Sequence, residues 1–188
     1  MKAIGVSCSA RVNKNTADLL NLALDILKKK GVETELIQLA NYRILPCKNC
    51  DYQCLYHKEK NCPIEDDVPK IWKKLVTFDA LIYGVPVYSG TIPSLLKILF
   101  ERSQALDLER NLRKPQIVGV IILGTYGHLN VLGALAPCVM YYPMSKPVGY
   151  ALAIGWQKAI EKEQTRREVI TLGKNVYKEL MLQVGLKE

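Results

Sequence analysis

A chain of 188 residues with 49% hydrophobic and 23% charged positions is long enough to bury one substantial core and too short to imply two, so a single domain over 1–188 is expected. The formal net charge of +8 is spread over Lys28-Lys29-Lys30, Lys58 to Lys60, Lys73-Lys74, Arg110 to Lys114 and Arg166-Arg167 without interleaved aromatics, which argues against nucleic acid and for attraction of anionic small molecules or acidic proteins. No apolar run approaches the about 18 residues that cross a bilayer, and the N-terminal apolar stretch is too short for a secretory signal, so a cytoplasmic protein with no membrane partner is expected.

Lys2 to Ser7 is a short apolar run suited to a strand buried on both faces. Leu19, Leu20, Ala23, Leu24 and Leu27 then fall on one helical face, closed by three lysines and Gly31. Thr34 to Leu39 alternates as a second strand, and a loop follows from about Ile44 to Ile64. Acidic Asp66-Asp67 predicts a helix start, with Ile71, Trp72 and Leu75 on one face. Asp79 to Val85 reads as a buried strand, Pro93 to Leu106 as a helix and Gln116 to Leu123 as the central strand. A helix at Asn130 to Met140, a strand at Val148 to Ile154 and a helix from Lys158 to Val184 complete the alternation. Strands alternating with helices imply an α/β fold, a doubly wound five-stranded parallel sheet whose ligands sit at the carboxyl ends of the strands.

Three loops at that edge carry chemistry. Ser7 to Thr16 concentrates hydroxyl, amide and cationic groups where a helix begins, an arrangement that suits a phosphate, with a polar turn capped by Thr16 as the lesser alternative. Neither GxxxxGK[ST] nor GxGxxG is present, which disfavours nucleoside triphosphates and dinucleotides. Gly84-Val-Pro86-Val87-Tyr88-Ser89-Gly90 offers a fixed turn, a close backbone approach and a flat ring with a polar tip. Gly124-Thr125-Tyr126-Gly127-His128 follows the central strand.

The loop after strand two holds Cys47, Cys50, Cys54 and Cys62, four of the six cysteines. Thiolates at such spacing turn inward on one soft centre, and a reducing compartment favours metal over disulfide. Four thiolates satisfy an iron–sulfur cube or a structural zinc equally, and partial disulfides or free thiols are the remaining outcome. Cys8 and Cys138 have no sequence partners and read as core thiols.

The segment Ser9-Ala-Arg11-Val-Asn-Lys-Asn15-Thr16 resembles the S-P-R-x-x-x-N-T phosphate loop of the NADPH-dependent FMN reductase group of flavodoxin-like proteins. That resemblance implies the strand order 2-1-3-4-5 and FMN as cofactor, with its phosphate held by Ser9, Arg11, Asn13, Asn15 and Thr16. Cys8 and Ala10 replace the usual Gly and Pro without removing a hydrogen-bonding side chain. Gly84 to Pro93 is similar to the G-x-P-V-Y-x-G motif, which implies that Pro86, Val87, Tyr88, Ser89 and Gly90 wrap the flavin, and Thr125, Tyr126, Gly127 and His128 occupy the family's third contact. Lys97 and Arg102 match a downstream L-K-x-x-x-x-R pattern and are expected to form structural ion pairs. The cysteine spacing followed by Asp66-Asp67 resembles the iron–sulfur flavoprotein branch, although one extra residue precedes Cys54. For the four cysteines this implies a [4Fe-4S] cluster.

The resemblance therefore implies an FMN-dependent oxidoreductase that relays electrons from a ferredoxin-type carrier or NAD(P)H to an acceptor, with no residue assigned to acid–base catalysis. It also implies a homo-oligomer, dimer or tetramer. The alternative is an NAD(P)H-dependent FMN or quinone reductase whose loop holds zinc or no metal. A passive flavodoxin-like carrier is disfavoured by the positive charge.

Overall fold

The computed structural model describes residues 1–50, 56, 62–106, 115–140, 145–155 and 158–185. Five strands, β1 (Lys2–Ser7), β2 (Glu33–Gln38), β3 (Ala80–Pro86), β4 (Gln116–Gly124) and β5 (Ser145–Ile154), form one sheet in the order β2-β1-β3-β4-β5. All four pairings are parallel, which requires crossover helices on the faces. Those helices are α1 (Asn15–Lys28), α2 (Val68–Leu75), α3 (Ser94–Leu106), α4 (His128–Leu135) and α5 (Glu163–Gln183). The flavodoxin-like order expected from the sequence is the order found.

Alternate residues of each central strand point into two separate apolar layers. On one face Ile4, Val6, Leu81, Tyr83, Val118 and Ile122 pack with Ile71, Leu75, Leu96, Leu99 and Val131 from α2, α3 and α4. On the other, Ala3, Ile82, Ile117 and Ile121 pack with Leu20, Leu24, Leu27, Val169 and Val176 from α1 and α5. This two-sided burial is why β3 and β4 read as unbroken apolar runs. Gly84 lets β3 meet α1 closely, since a Cβ there would lie 2.6 Å from Thr16 Cγ2.

Boundaries depart from the sequence reading where backbone conformation intervenes. The last helix begins at Glu163 rather than near Lys158, because Lys158 adopts a left-handed φ of 48° and residues Ala159–Glu161 form a 3-10 turn. The fourth helix starts at His128, two residues early, behind left-handed Gly127, and residues Ala136–Met140 widen into a π turn. Strand β5 starts three residues earlier than expected and carries an irregularity against β4 between Val118 and Gly119.

Candidate functional site

The carboxyl ends of β1, β3 and β4 deliver three loops to one edge, and contacts between the loops define the site. The first runs from Cys8 to Lys14. Ser9 is 3% exposed, and its Oγ accepts a hydrogen bond from the Arg11 amide at 3.0 Å, so the loop curls over its own serine. Lys14, in extended conformation, is the N-cap of α1; Thr16 lies inside the first turn and is buried, so the N-cap role considered for it is not the one it plays. The first amides of α1 face this edge with the positive end of the helix dipole.

The second loop is a two-residue reversal. The amides of Tyr88 and Thr91 each donate to the other's carbonyl at 3.0 Å, with Ser89 and Gly90 at φ of 47° and 78°. Both central residues are left-handed, as a type I′ turn demands. The turn sends the Tyr88 ring back towards the first loop. There the Ala10 amide donates to Tyr88 Oη at 3.2 Å, and Ser9 Oγ lies 3.3 Å from the same oxygen.

The third loop docks on the second. The Val87 amide donates to the Leu123 carbonyl at 2.8 Å, and Gly127, at φ of 77°, lies so close to Gly90 that a Cβ on it would sit 2.8 Å from the Gly90 carbonyl oxygen. The Gly155 amide at the end of β5 donates to the Gly124 carbonyl at 3.3 Å, which ties the fourth strand exit to the same edge.

Between these loops opens a cleft of about 430 Å³ lined by Arg11, Pro86, Val87, Tyr88, Ser89, Leu123, Gly124, Thr125, Tyr126 and Gly155. Its walls are mainly aliphatic and aromatic and, among the described residues, carry one cationic side chain, Arg11, with Tyr126 61% exposed at the mouth. A flat, partly apolar group bearing an anion fits such a space, and the volume lies within the about 300–1,000 Å³ of small-molecule sites. Gly90 and Gly127 meet each other beside this space and are not part of its walls.

Most residues expected at the site are therefore brought together: Ser9, Arg11, Pro86, Val87, Tyr88, Ser89, Gly90, Thr125, Tyr126 and Gly127. Asn15 and Thr16 begin α1 directly behind them. Asn13 is placed differently from its companions. Its amide donates to Gln38 Oε1 and its Oδ1 accepts from Gln38 Nε2, both at 2.7 Å, so it fastens the loop to the end of β2. His128 opens α4 outside the cleft walls, and its enclosed Nε2 has no hydrogen-bond partner among the described residues. Gly155 and Leu123 line the cleft and were not foreseen; the rule that ligands gather at strand exits was signal enough for Gly155.

The cysteine loop leaves the same edge of the sheet through a narrow neck. The Arg43 amide donates to Asp67 Oδ2 and the Leu45 amide to Asp66 Oδ2, both at 2.8 Å, while the Asp67 amide returns a bond to the Arg43 carbonyl at 3.0 Å. Asp66 also forms an ion pair with Arg102 in which both side chains are enclosed. Burial pushes the Asp66 carboxyl up, but the Leu45 amide, the Arg102 guanidinium and the Val68 amide outweigh it and leave the group below the usual carboxylate range. The expected ion pairs are present: Lys97 pairs with Glu101 at 2.7 Å on the surface, and Arg102 pairs with Asp66 inside.

Within the loop, Cys47 Sγ accepts the Asn49 amide at 3.4 Å, with Asn49 at a left-handed φ of 48°, and Cys62 Sγ accepts Arg102 Nη2 at 3.5 Å. Two sulfurs thus receive N–H donors. Cys47, Cys50 and Cys62 are free thiols, and among the described residues no three candidate ligands converge on one point. Cys54 lies outside the described residues. Cys8 is wholly buried, and burial pushes its thiol far up, as a core thiol requires. Cys138 is half-buried and raised by the same cause.

Residues 1–158 match the family described as NADPH-dependent FMN reductase. Among curated relatives, an iron–sulfur flavoprotein of Methanocaldococcus jannaschii is 40% identical over 124 residues, covering 66% of this chain and 62% of that protein. An iron–sulfur flavoprotein of Methanosarcina thermophila is 33% identical over 124 residues, covering 66% and 63%. The match thus spans less than two thirds of the length of either relative. Among solved structures, RosB with its bound 8-demethyl-8-formylriboflavin-5'-phosphate superposes with a TM-score of 0.76 at 17% identity, covering 98% of this chain and 81% of that one. A Streptococcus pneumoniae flavodoxin gives 0.60 at 11% identity, covering 95% and 99%. These two likenesses establish the shared fold. Among the described residues no helix is long and apolar enough to cross a membrane.

Proposed function

Since the chain belongs to the NADPH-dependent FMN reductase family, we propose that it is an FMN-dependent oxidoreductase that carries electrons from a reduced ferredoxin-type carrier or NAD(P)H to an acceptor, using FMN in the cleft and a [4Fe-4S] cluster on Cys47, Cys50, Cys54 and Cys62. When bound, FMN supplies two-electron or hydride exchange and the cluster single-electron exchange. The observation that carries the reading is the junction of the three edge loops around one cleft with Arg11 in its wall.

The chain's own groups divide the work of binding. Arg11 offers the guanidinium fork that suits a phosphate, and Ser9 and the first turn of α1 with Asn15 and Thr16 add neutral donors beside it. Asn13 acts one step removed, holding the loop against Gln38. Pro86, Val87 and Leu123 supply an apolar wall, and Tyr88 and Tyr126 supply faces against which a flat ring stacks. The Gly90–Gly127 apposition keeps side chains out of the space between loops, and Thr125 and Ser89 add hydroxyls at its rim.

For the cluster, the fit rests on the donor set: three free thiols among the described residues, two of them receiving N–H donors. The names of the curated relatives support the same assignment. A homo-oligomer in the cytoplasm completes the proposal, supported by an apolar groove of about 510 Å³ beside the edge strand, lined by Leu132, Leu135, Pro147 and Tyr150, with Tyr150 54% exposed. Sedimentation of the purified protein tests the assembly.

The function is tested by anaerobic reduction of the loaded protein, comparing a one-electron carrier with NAD(P)H while the visible bands of each centre are followed. Rapid bleaching by the one-electron carrier supports the relay. Reduction by NAD(P)H alone, with zinc or no metal in the loop, would establish the plain FMN or quinone reductase instead.

A further inference from the structure

Arg102 is the one arginine among the described residues whose side chain is enclosed, at 1% exposure, and it sits where both ends of the cysteine loop meet. From α3 its guanidinium reaches the Leu45 carbonyl on the entering strand of the neck at 3.3 Å. On the returning strand it reaches the Ile64 carbonyl at 3.4 Å, the Asp66 carboxylate, and Cys62 Sγ at 3.5 Å. Nε is enclosed with no partner among the described residues. Removing such an ion from water is costly, and an apolar side chain of similar volume commonly packs as well or better. A neck needing only closure is already served by the amide bonds to Asp66 and Asp67. What an apolar residue does not supply is a positive charge and an N–H donor at a cysteine sulfur.

Resting on the [4Fe-4S] reading above, we propose that Arg102 is a positioning residue for the redox centre, which holds Cys62 in its ligating place and raises the reduction potential of the centre through its charge and its N–H···S contact. Hydrogen bonds to ligand sulfurs and nearby positive charge favour the reduced, more negative state of a thiolate-bound cluster, and outer partners of ligands set their orientation. Asp66 is then the counter-ion that keeps the guanidinium aimed, and its enclosure prevents water from screening the effect.

The test uses anaerobically prepared holoprotein of the wild type, Arg102→Lys and the isoelectric double variant Arg102→Gln with Asp66→Asn. Lysine keeps the charge but not the fork that spans Cys62, Asp66 and the two carbonyls; the double variant removes both charges together and so avoids a buried unpaired ion. FMN, iron and labile sulfide are assayed per chain, and the cluster potential is read by an EPR-monitored titration. The expected result is that FMN content stays at the wild-type level while each variant either loses labile sulfide or keeps it with a lowered potential. The expected lowering is at least a tenfold shift of the oxidised-to-reduced ratio at fixed poise, 59 mV for a one-electron couple. Full sulfide with an unshifted potential in either folded variant would overturn the proposal and leave Arg102 a structural ion only. A wild type without iron would overturn it together with the cluster reading, and is told apart because the wild type itself fails.

Discussion

Gly127→Ala is the substitution whose cost is most directly legible in the structure. Two separate penalties act at this residue. An L residue held at φ of 77° costs about 1–2 kcal/mol relative to glycine. The added Cβ would also sit 2.8 Å from the Gly90 carbonyl oxygen and 3.0 Å from two further backbone atoms of Gly90, so no side-chain rotation relieves it and the loops must part. Inserting a methyl group into such a contact costs about a further 1–3 kcal/mol. The sum is at least about 2 kcal/mol, which for a chain of this size lowers Tm by at least about 4 °C. Parting the loops also opens the cleft, so FMN affinity should fall by more than about tenfold, equivalent to about 1.4 kcal/mol. Gly133→Ala is the control, on the helix that Gly127 caps and with nothing within 4 Å of the added Cβ in the single chain; there it should stabilise by about 0.5–1 kcal/mol through helix propensity. Thermal unfolding with and without FMN, beside fluorescence titrations of apoprotein, reads both effects. A Gly127→Ala protein that unfolds at the wild-type temperature and binds FMN equally well would refute the loop-apposition reasoning.

Replacing Ser9 and Asn15 together by Ala removes neutral hydrogen bonds to a charged phosphate, each worth about 1.5–3 kcal/mol, and should weaken FMN binding at least about tenfold in a flavin fluorescence titration. Asp66→Asn should cost about 3–5 kcal/mol in urea denaturation near neutral pH, because it leaves the enclosed Arg102 uncompensated. The wild-type Asp66 carboxyl is held below its usual range, so its stabilisation is present above the unfolded value of about 3.9 and lost as pH falls through the lower folded value; the gap between wild type and Asp66→Asn should therefore close in acid. Cys50→Ala should abolish labile sulfide and the broad charge-transfer absorption while the flavin bands remain, since the cleft is built from other loops.

The sheet and its helices were legible because both follow from periodicity. Strands β1, β3 and β4 are buried on both faces and read as apolar runs, and the helical faces of α1 and α3 repeat at the spacing their burial requires. What the sequence hid was non-local or conformational. Asp66 and Asp67 read as helix-start acids, and Asp66 does accept the Val68 amide at the start of α2, but the two carboxylates also serve amides at Leu45 and Arg43 across the neck of a loop more than twenty residues around, and one receives a guanidinium from α3. Asn13 looked like its phosphate-loop neighbours, but its partner is Gln38, on a strand that is adjacent only once the sheet has formed. The late start of α5 turns on one left-handed lysine, a conformation no propensity favours. The cleft itself was foreseeable from strand exits, whereas the close backbones of Gly90 and Gly127 belong to loops that meet only in the folded chain.

The central claim, one chain holding both a flavin and an iron–sulfur centre, is tested most directly by the cofactor stoichiometry of protein purified anaerobically with iron and sulfide supplied. The account predicts about one FMN together with about four irons and four labile sulfides per chain. Zinc or no metal beside bound FMN would contradict the cluster assignment, and absence of FMN would contradict the reading of the cleft.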